Sequence, residues 1–249
     1  MLKILKKMKN LVSLLFWYPK YERSGHTDYE DYWAKTHRNP KTFAEQIGST
    51  KFCDVVTHLQ DNCTLLDIGS GDGKLFYFAK DKIKQFVGCD ISHAGIAQAQ
   101  AHYASYKKAS FCVRDVTKEG LAESEIFDHI VLLNLLEHIP NPEELFEQIV
   151  EHFNHSILFT IPNTGYWIHR FRLLLGRFPV QYQFYPGEHL RYWTVKDLVH
   201  WFEKSLGPLS LKITKIKGYN GPKGLLHLCP SVFAASLFVV VQKRVQSQI

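Results

Sequence analysis

The segment Leu65-Leu-Asp-Ile-Gly-Ser-Gly-Asp-Gly-Lys-Leu75 restricts what this chain can fold into more than any other. An apolar run enters Gly69, Gly71 and Gly73, and helix-forming residues follow at once. Such a pattern reads as a buried strand turning directly into a helix. Glycines at the turn accept positive φ and let a ligand approach the backbone where a Cβ would stand. The spacing is G-x-G-x-G, with Asp67 two residues before the first glycine. A dinucleotide loop has G-x-G-x-x-G and cradles a pyrophosphate on free amides. A carboxylate leading the turn opposes a diphosphate and suits a ligand with an ammonium and a sulfonium. An NAD-dependent oxidoreductase is disfavoured on this spacing and by the lack of a hydride-transfer constellation.

From Thr64 to about Pro162 short apolar runs alternate with helix-like stretches, the pattern of a parallel sheet flanked by helices. Strands are expected at Thr64–Ile68, Phe86–Asp90, Ser110–Arg114, Phe127–Leu133 and Ser156–Ile161. Helices are expected at Lys74–Lys80, His93–Tyr106 and Glu143–Phe153. The last starts on Asn141-Pro142-Glu143-Glu144, which offers a cap, a first-turn proline and two acids at the positive helix end. Further on, Arg191–Glu203 reads as a helix entered through Thr194. Leu209–Lys217 and Ala235–Gln242 read as neighbouring strands. The expected fold class is α/β, with a domain over residues 51–249 and a helical cap insertion at about 163–193. Residues 1–50 form a basic amphipathic and aromatic arm. The insertion should lie over the carboxyl ends of the strands, where open α/β sheets bind ligands.

Asp90 ends the second strand in Phe86-Val-Gly-Cys-Asp-Ile91, and Asp115 ends the third in Phe111-Cys-Val-Arg-Asp-Val116. Each aspartate alone reads as a strand-end turn or a helix cap. With Asp67, three acids at the ends of three successive strands behind a glycine loop read as one ligand site. Asp90 suits the two hydroxyls of a ribose, Ile91 the neighbouring base, and Asp115 an adenine amino group.

Taken in order, Leu65–Leu75, Phe86–Ile91, Phe111–Val116, Phe127–His138 and Ile157–Pro162 resemble the motifs of class I S-adenosylmethionine-dependent methyltransferases. The resemblance implies a Rossmann-like sheet, mostly parallel, with a C-terminal antiparallel strand. It implies S-adenosylmethionine as cofactor. Asp67, Gly69, Gly71 and Gly73 would hold its methionine part, Asp90 the ribose, with Ile91 beside the base, and Asp115 and Val116 the adenine. Asn134 would lie next to the methionine end. Tyr166–Val180 and Gly187–Leu198 are similar to the MetW-like group, which mixes probable enzymes with proteins that support methionine biosynthesis through a partner enzyme.

Methyl transfer to a hydroxyl needs a base, and a positioned base contributes ~10²–10⁴-fold in rate. His138, in Asn134-Leu-Leu-Glu-His-Ile-Pro140, is the first candidate; the alternative is a histidine satisfied at a helix start. Glu137 beside it could orient a ring or bind substrate. His189 is the second candidate. Quinone-pathway O-methyltransferases (UbiG-like) carry a similar Glu-His pair, with another acid three residues earlier that helps bind a divalent ion. Asn134 stands at that position here, and no H-E-x-x-H occurs, so no metal is expected.

Tyr166, Arg170, Arg172, Arg177 and Arg191, with Trp167, His169, Tyr182 and Tyr185, mix aromatics and guanidinium groups. As a cluster they suit a polar or anionic substrate, such as a sugar or a phosphate-bearing glycan precursor. The plainer account is a solvated helix whose Phe171, Leu174 and Leu175 face the core. Tyr32 and Trp33 in the arm could close over the cofactor. The expected function is O-methylation of a small molecule. The rival is a partner-binding regulator of a biosynthetic enzyme that keeps the cofactor fold, and unpaired apolar surface on Tyr166–Tyr185 would favour it.

The formal net charge of +6 is modest, the lysines are spread out, and no nucleic-acid recognition motif occurs, so nucleic acid is not an expected partner. Five cysteines at wide spacings, with no C-x-x-C pair, argue against a disulfide scaffold and for a reducing cytoplasm. Met1–Tyr18 has Leu2, Leu5, Met8, Val12 and Leu15 at helical spacing, with Lys3, Lys6, Lys7 and Lys9 between them. That segment either packs on the domain or lies on a membrane surface on the inner face. A homodimer is left open.

Overall fold

The computed structural model describes residues 15, 28–36, 51–179, 181, 187–222, 224–226 and 228–244. Strands β1 (Cys63–Ile68), β2 (Ile83–Asp90), β3 (Ala109–Val113), β4 (Phe127–Leu133), β5 (Phe153–Pro162), β6 (Leu211–Tyr219) and β7 (Ser236–Lys243) form one sheet in the order β3-β2-β1-β4-β5-β7-β6. The first five are parallel, and β7 runs antiparallel to both β5 and β6. The helices are α1 (Tyr29–Lys35), α2 (Lys51–His58), α3 (Lys74–Ala79), α4 (His93–Tyr103), α5 (Val116–Glu119), α6 (Pro142–Ile149), α7 (Trp167–Leu174), α8 (Val195–Trp201) and α9 (Pro230–Phe233).

The central strands are apolar on both faces because both faces are covered. Along β5, Ile157, Phe159 and Ile161 enter one core with Phe146, Trp193 and Phe202, whereas Leu158 enters the other with Phe76, Phe86 and Phe111. Leu66 and Leu65 of β1 divide in the same way. Successive residues of a strand point to opposite faces, so unbroken apolar runs mark the middle of a two-sided sheet. Chain order reverses direction across the sheet between β1 and β4, and the crevice beyond their carboxyl ends is the expected ligand position.

Local signals set several boundaries. Thr194 and Asp197 form a reciprocal capping box, so α8 starts at Val195 and not at Arg191. After Trp201 the chain continues in wider turns over Phe202–Leu206. Asn141 does not cap α6 through its side chain; its amide donates instead to Glu144 Oε1 at 2.9 Å.

One expectation about α7 is overturned. Phe171, Leu174 and Leu175 do not face the core; they are more than half exposed. The inward positions belong to Ile168, His169 and Arg172. A guanidinium can occupy such a place because its donors are met: Arg172 Nε donates to the Phe178 carbonyl and Nη1 to the Leu15 carbonyl, both at 2.9 Å. Leu15 also packs with Trp167 against Tyr166, Ile168 and Ala235. The rest of Met1–Tyr18, and Tyr182 and Tyr185, lie outside the described residues. Among the described residues no helix is long and apolar enough to cross a membrane, and all five cysteines are free thiols.

Candidate active site

The turn from β1 into α3 has φ of 79° at Gly69, 52° at Gly71 and 75° at Gly73, all in the left-handed region. The end of β2 clasps this loop. Gly69 N and Ser70 N donate to the Cys89 carbonyl at 2.8 and 3.0 Å. Gly71 N donates to Asp90 Oδ2 at 2.8 Å and Ser92 N to Asp90 Oδ1 at 2.9 Å. Asp90 is thus fixed in place; burial raises its pKa against the pull of these amides. Asp67 is buried, and burial, with Asp90 next, pushes its carboxyl up to about 8, while Lys51 pulls the other way.

Part of the lid comes from the arm. Asp28 caps α1 by accepting from Glu30 N and Asp31 N. Glu30 in turn accepts from Ser92 Oγ at 2.8 Å and Ala94 N at 2.9 Å, and Gln98 Nε2 donates to the Trp33 carbonyl at 2.5 Å. The six-membered ring of Trp33 fills the space that a Cβ on Gly71 would need. Gly73 has a different role, since Phe111 and Tyr103 occupy its Cβ space and pack α3 against the sheet.

Beneath this lid lies a cleft of about 1030 Å³, lined by Tyr29, Tyr32, Trp33, Gly69, Asp90 and Ile91, with Asp115, Val116, Asn134 and His138 further along. Asp115 serves two purposes. It caps α5, accepting from Thr117 N and Oγ1, and it walls the cleft. Burial pushes its pKa up, but Lys118 and Thr117 outweigh that and hold it below the ordinary value. Asn134 takes a φ of 54° and locks onto Thr160, whose Oγ1 accepts from its N and donates to its Oδ1. Asparagine tolerates that region better than most residues.

His138 ends a short 3₁₀ turn, Leu136–His138, at the mouth of β4. Its Nδ1 is 2.7 Å from the Glu188 carbonyl, which can only accept, so Nδ1 carries the proton and Nε2 the lone pair. Tyr29 Oη stands 3.1 Å from the same Nδ1. Burial lowers the His138 pKa below its ordinary value, which leaves the ring neutral at neutral pH. Glu137 points inward, with Oε2 buried and without a hydrogen-bond partner, and burial raises its carboxyl to about 8. Its backbone carbonyl accepts from Leu190 N at 2.7 Å and Arg191 N at 3.3 Å.

That tie brings His189 edge-on to His138, with centroids 4.9 Å apart and Nδ1 on Gln181 Oε1. His189 is buried and outside the cleft lining, and burial lowers its pKa to about 3. Donor atoms of Glu137, His138 and His189 lie within 4.8 Å of one another, a set able to hold a divalent ion.

The residues expected on the substrate side are placed elsewhere. Tyr166 and Arg172 are buried in the α7 packing. Arg170 Nε donates to the Gly165 carbonyl, and Arg191 holds the Pro140 carbonyl and Glu143. Neither these four nor Arg177 are among the lining residues. The lining instead adds Lys51, Tyr219, Asn220 and Ser236. Tyr219 and Ser236 meet as the last register pair of β6 and β7, a long-range pairing with no local motif. Lys51 carries an amine that burial lowers to about 8, against the charges of Glu137 and Asp67.

The methyltransferase-domain family model matches residues 27–205. The chain belongs to the methyltransferase-domain family. Gly69, Asp90, Ile91, Asp115, Val116 and Asn134 in the cleft lining fit S-adenosylmethionine, the cofactor of this methyltransferase fold, whereas Asp67, Gly71 and Gly73 lie outside that lining. A ubiquinone biosynthesis O-methyltransferase of Pseudomonas fluorescens is 35% identical over 83 residues, covering 32% of this chain and 35% of the relative. The chain thus matches about a third of the length of such curated relatives. Magnesium protoporphyrin IX methyltransferase of Synechocystis, solved with bound S-adenosylhomocysteine, superposes with a TM-score of 0.57 at 15% identity, over 86% of this chain and 97% of that one. The [4+2]-cyclase SpnF superposes at 0.54 with 14% identity, over 77% of this chain and 80% of that one. The fold alone therefore does not fix the reaction.

Proposed function

We propose that this methyltransferase domain transfers the methyl group of S-adenosylmethionine to a hydroxyl of a small polar or anionic acceptor, in a reducing cytoplasm. What supports the reading most is one cleft that joins the acids at the ends of β2 and β3 to the neutral ring of His138. When bound, S-adenosylmethionine would supply a methyl carbon activated by its sulfonium, with S-adenosylhomocysteine as the leaving group. The protein's share is alignment, exclusion of water and removal of one proton. Trp33 and Tyr32 cover the cleft, and Asn134 is locked at its inner end. His138 Nε2 accepts the acceptor's hydroxyl proton while the Glu188 carbonyl holds the other side of the ring. Lys51, one of four cationic residues that line the cleft with Lys74, Arg114 and Lys118, takes the place of the expected arginines as the reader of acceptor charge. A glycan precursor loses the arginine support it had, whereas the partial likeness to ubiquinone biosynthesis O-methyltransferases favours oxygen as the methylated atom.

The MetW-like regulator reading has one observation on its side, the exposed apolar surface of α7, but a cleft lined by Gly69, Asp90, Asp115, Asn134 and His138 supports an enzyme.

Incubating the protein with extract and S-adenosylmethionine labelled in the methyl group should yield a labelled small molecule. Absence of label in every fraction would sink the enzyme reading. The same assay with a chelator reads the Glu137-His138-His189 cluster. If His138 is the base, chelation leaves the rate within about twofold, small beside the ~10²–10⁴-fold worth of a base. A loss restored by a divalent ion would make His138 a ligand instead.

A further inference from the structure

The outer face of α7 is apolar and open. Phe171 is 51% exposed, Leu173 55%, Leu174 80%, Leu175 54% and Phe178 65%. Single exposed leucines mean little, but five large apolar side chains within eight consecutive residues make a patch of the kind that marks a contact surface. The orientation is enforced from beneath. Arg172 is pinned inside by the carbonyls of Leu15 and Phe178, and Ile168 packs with Tyr166 and Ala235, so the helix cannot roll to bury its leucines.

The charge around the patch selects its occupant. From His152 to Gly187 the sequence contains no Asp or Glu, while Arg170, Arg172 and Arg177 fall in or beside α7. Arg170, directly before Phe171, is exposed. Arg172 is buried, but the exposed Arg170 and the half-buried Arg177, with the apolar side chains and no acid in the segment, suit the headgroup layer of an anionic bilayer, where the apolar groups insert and these two cations meet phosphate. Leu15 is seated under the same helix. We propose that α7 and the turn after it, Phe171–Phe178, dock the domain on anionic phospholipid surfaces. The inference does not depend on methyl transfer.

The full chain should be sedimented with vesicles of phosphatidylcholine alone and with vesicles in which about a third of the lipid is phosphatidylglycerol. The protein should pellet with the anionic vesicles only, and added salt should weaken the association. The double variant Leu174→Glu, Phe178→Glu should lose at least about tenfold in vesicle binding, because charge is placed in the inserting face. Its cofactor binding and melting temperature should stay unchanged, since both side chains face solvent. Equal vesicle binding by the variant, or no binding by the original protein, overturns the proposal. So does a dimer that dissociates in the variant, which would give the face to a second copy. A large fall in melting temperature would show that the chain itself covers the face, and that also overturns it.

Discussion

Exchange of His138 for glutamine is expected to lower turnover about 10²–10⁴-fold, with cofactor affinity kept within about twofold. Glutamine keeps a donor for the Glu188 carbonyl but has no basic nitrogen to take the acceptor's proton. The loss should therefore appear in turnover and spare cofactor binding. The pH profile follows from the sign of the shift. Burial lowers the His138 pKa below 6.5, so the ring is neutral and competent through neutral pH, and the original enzyme's rate should fall only on the acid side of that value. The glutamine variant should lack this acid limb. A loss below about tenfold would make His138 a packing residue. His189 is a poor successor because it sits behind His138 and outside the cleft lining. Lys51 would take its place, as a cleft residue whose amine is lowered to about 8.

The parallel core was legible because its strands are buried on both faces, which compels apolar runs. Phe127–Leu133 was placed to the residue, and the other strands to within a few. Asp90, Asp115 and Asn134 could be located by counting from strand ends. What local pattern could not reach was built by distant pairings. Glu30 reaches Ser92 across the fold to seat Trp33 on Gly71, and β6 delivers Tyr219 to Ser236. Arg172 defeated the reading of α7 for a related reason. A charged residue inside an apolar sequence is expected to face water, and the carbonyls of Leu15 and Phe178, one of them far away in sequence, help make its burial tolerable. The aspartate caps carried a further ambiguity. Asp115 is both a cap and a cleft wall, so its capping role leaves a ligand contact open to it.

Asp67 should make cofactor binding release a proton. In the free protein burial raises its carboxyl to about 8, so below that pH the group is largely neutral. The ammonium of a bound methionine moiety favours the ionised form, and its arrival must expel the proton. Affinity should then rise with pH up to about 8, by at most tenfold per pH unit, and level off above it. Calorimetry at neutral pH in two buffers of different ionisation enthalpy reads the released proton directly. Asp67→Asn should bind about 10–100-fold more weakly at pH 8, the cost of a lost charge-assisted contact. The same variant should lose the buffer dependence. Lys51 titrates in the same range, but it remains in the variant, so any dependence that persists belongs to Lys51. Unchanged affinity together with unchanged proton release in Asp67→Asn would remove Asp67 from the methionine end and leave it a buried acid at a strand end.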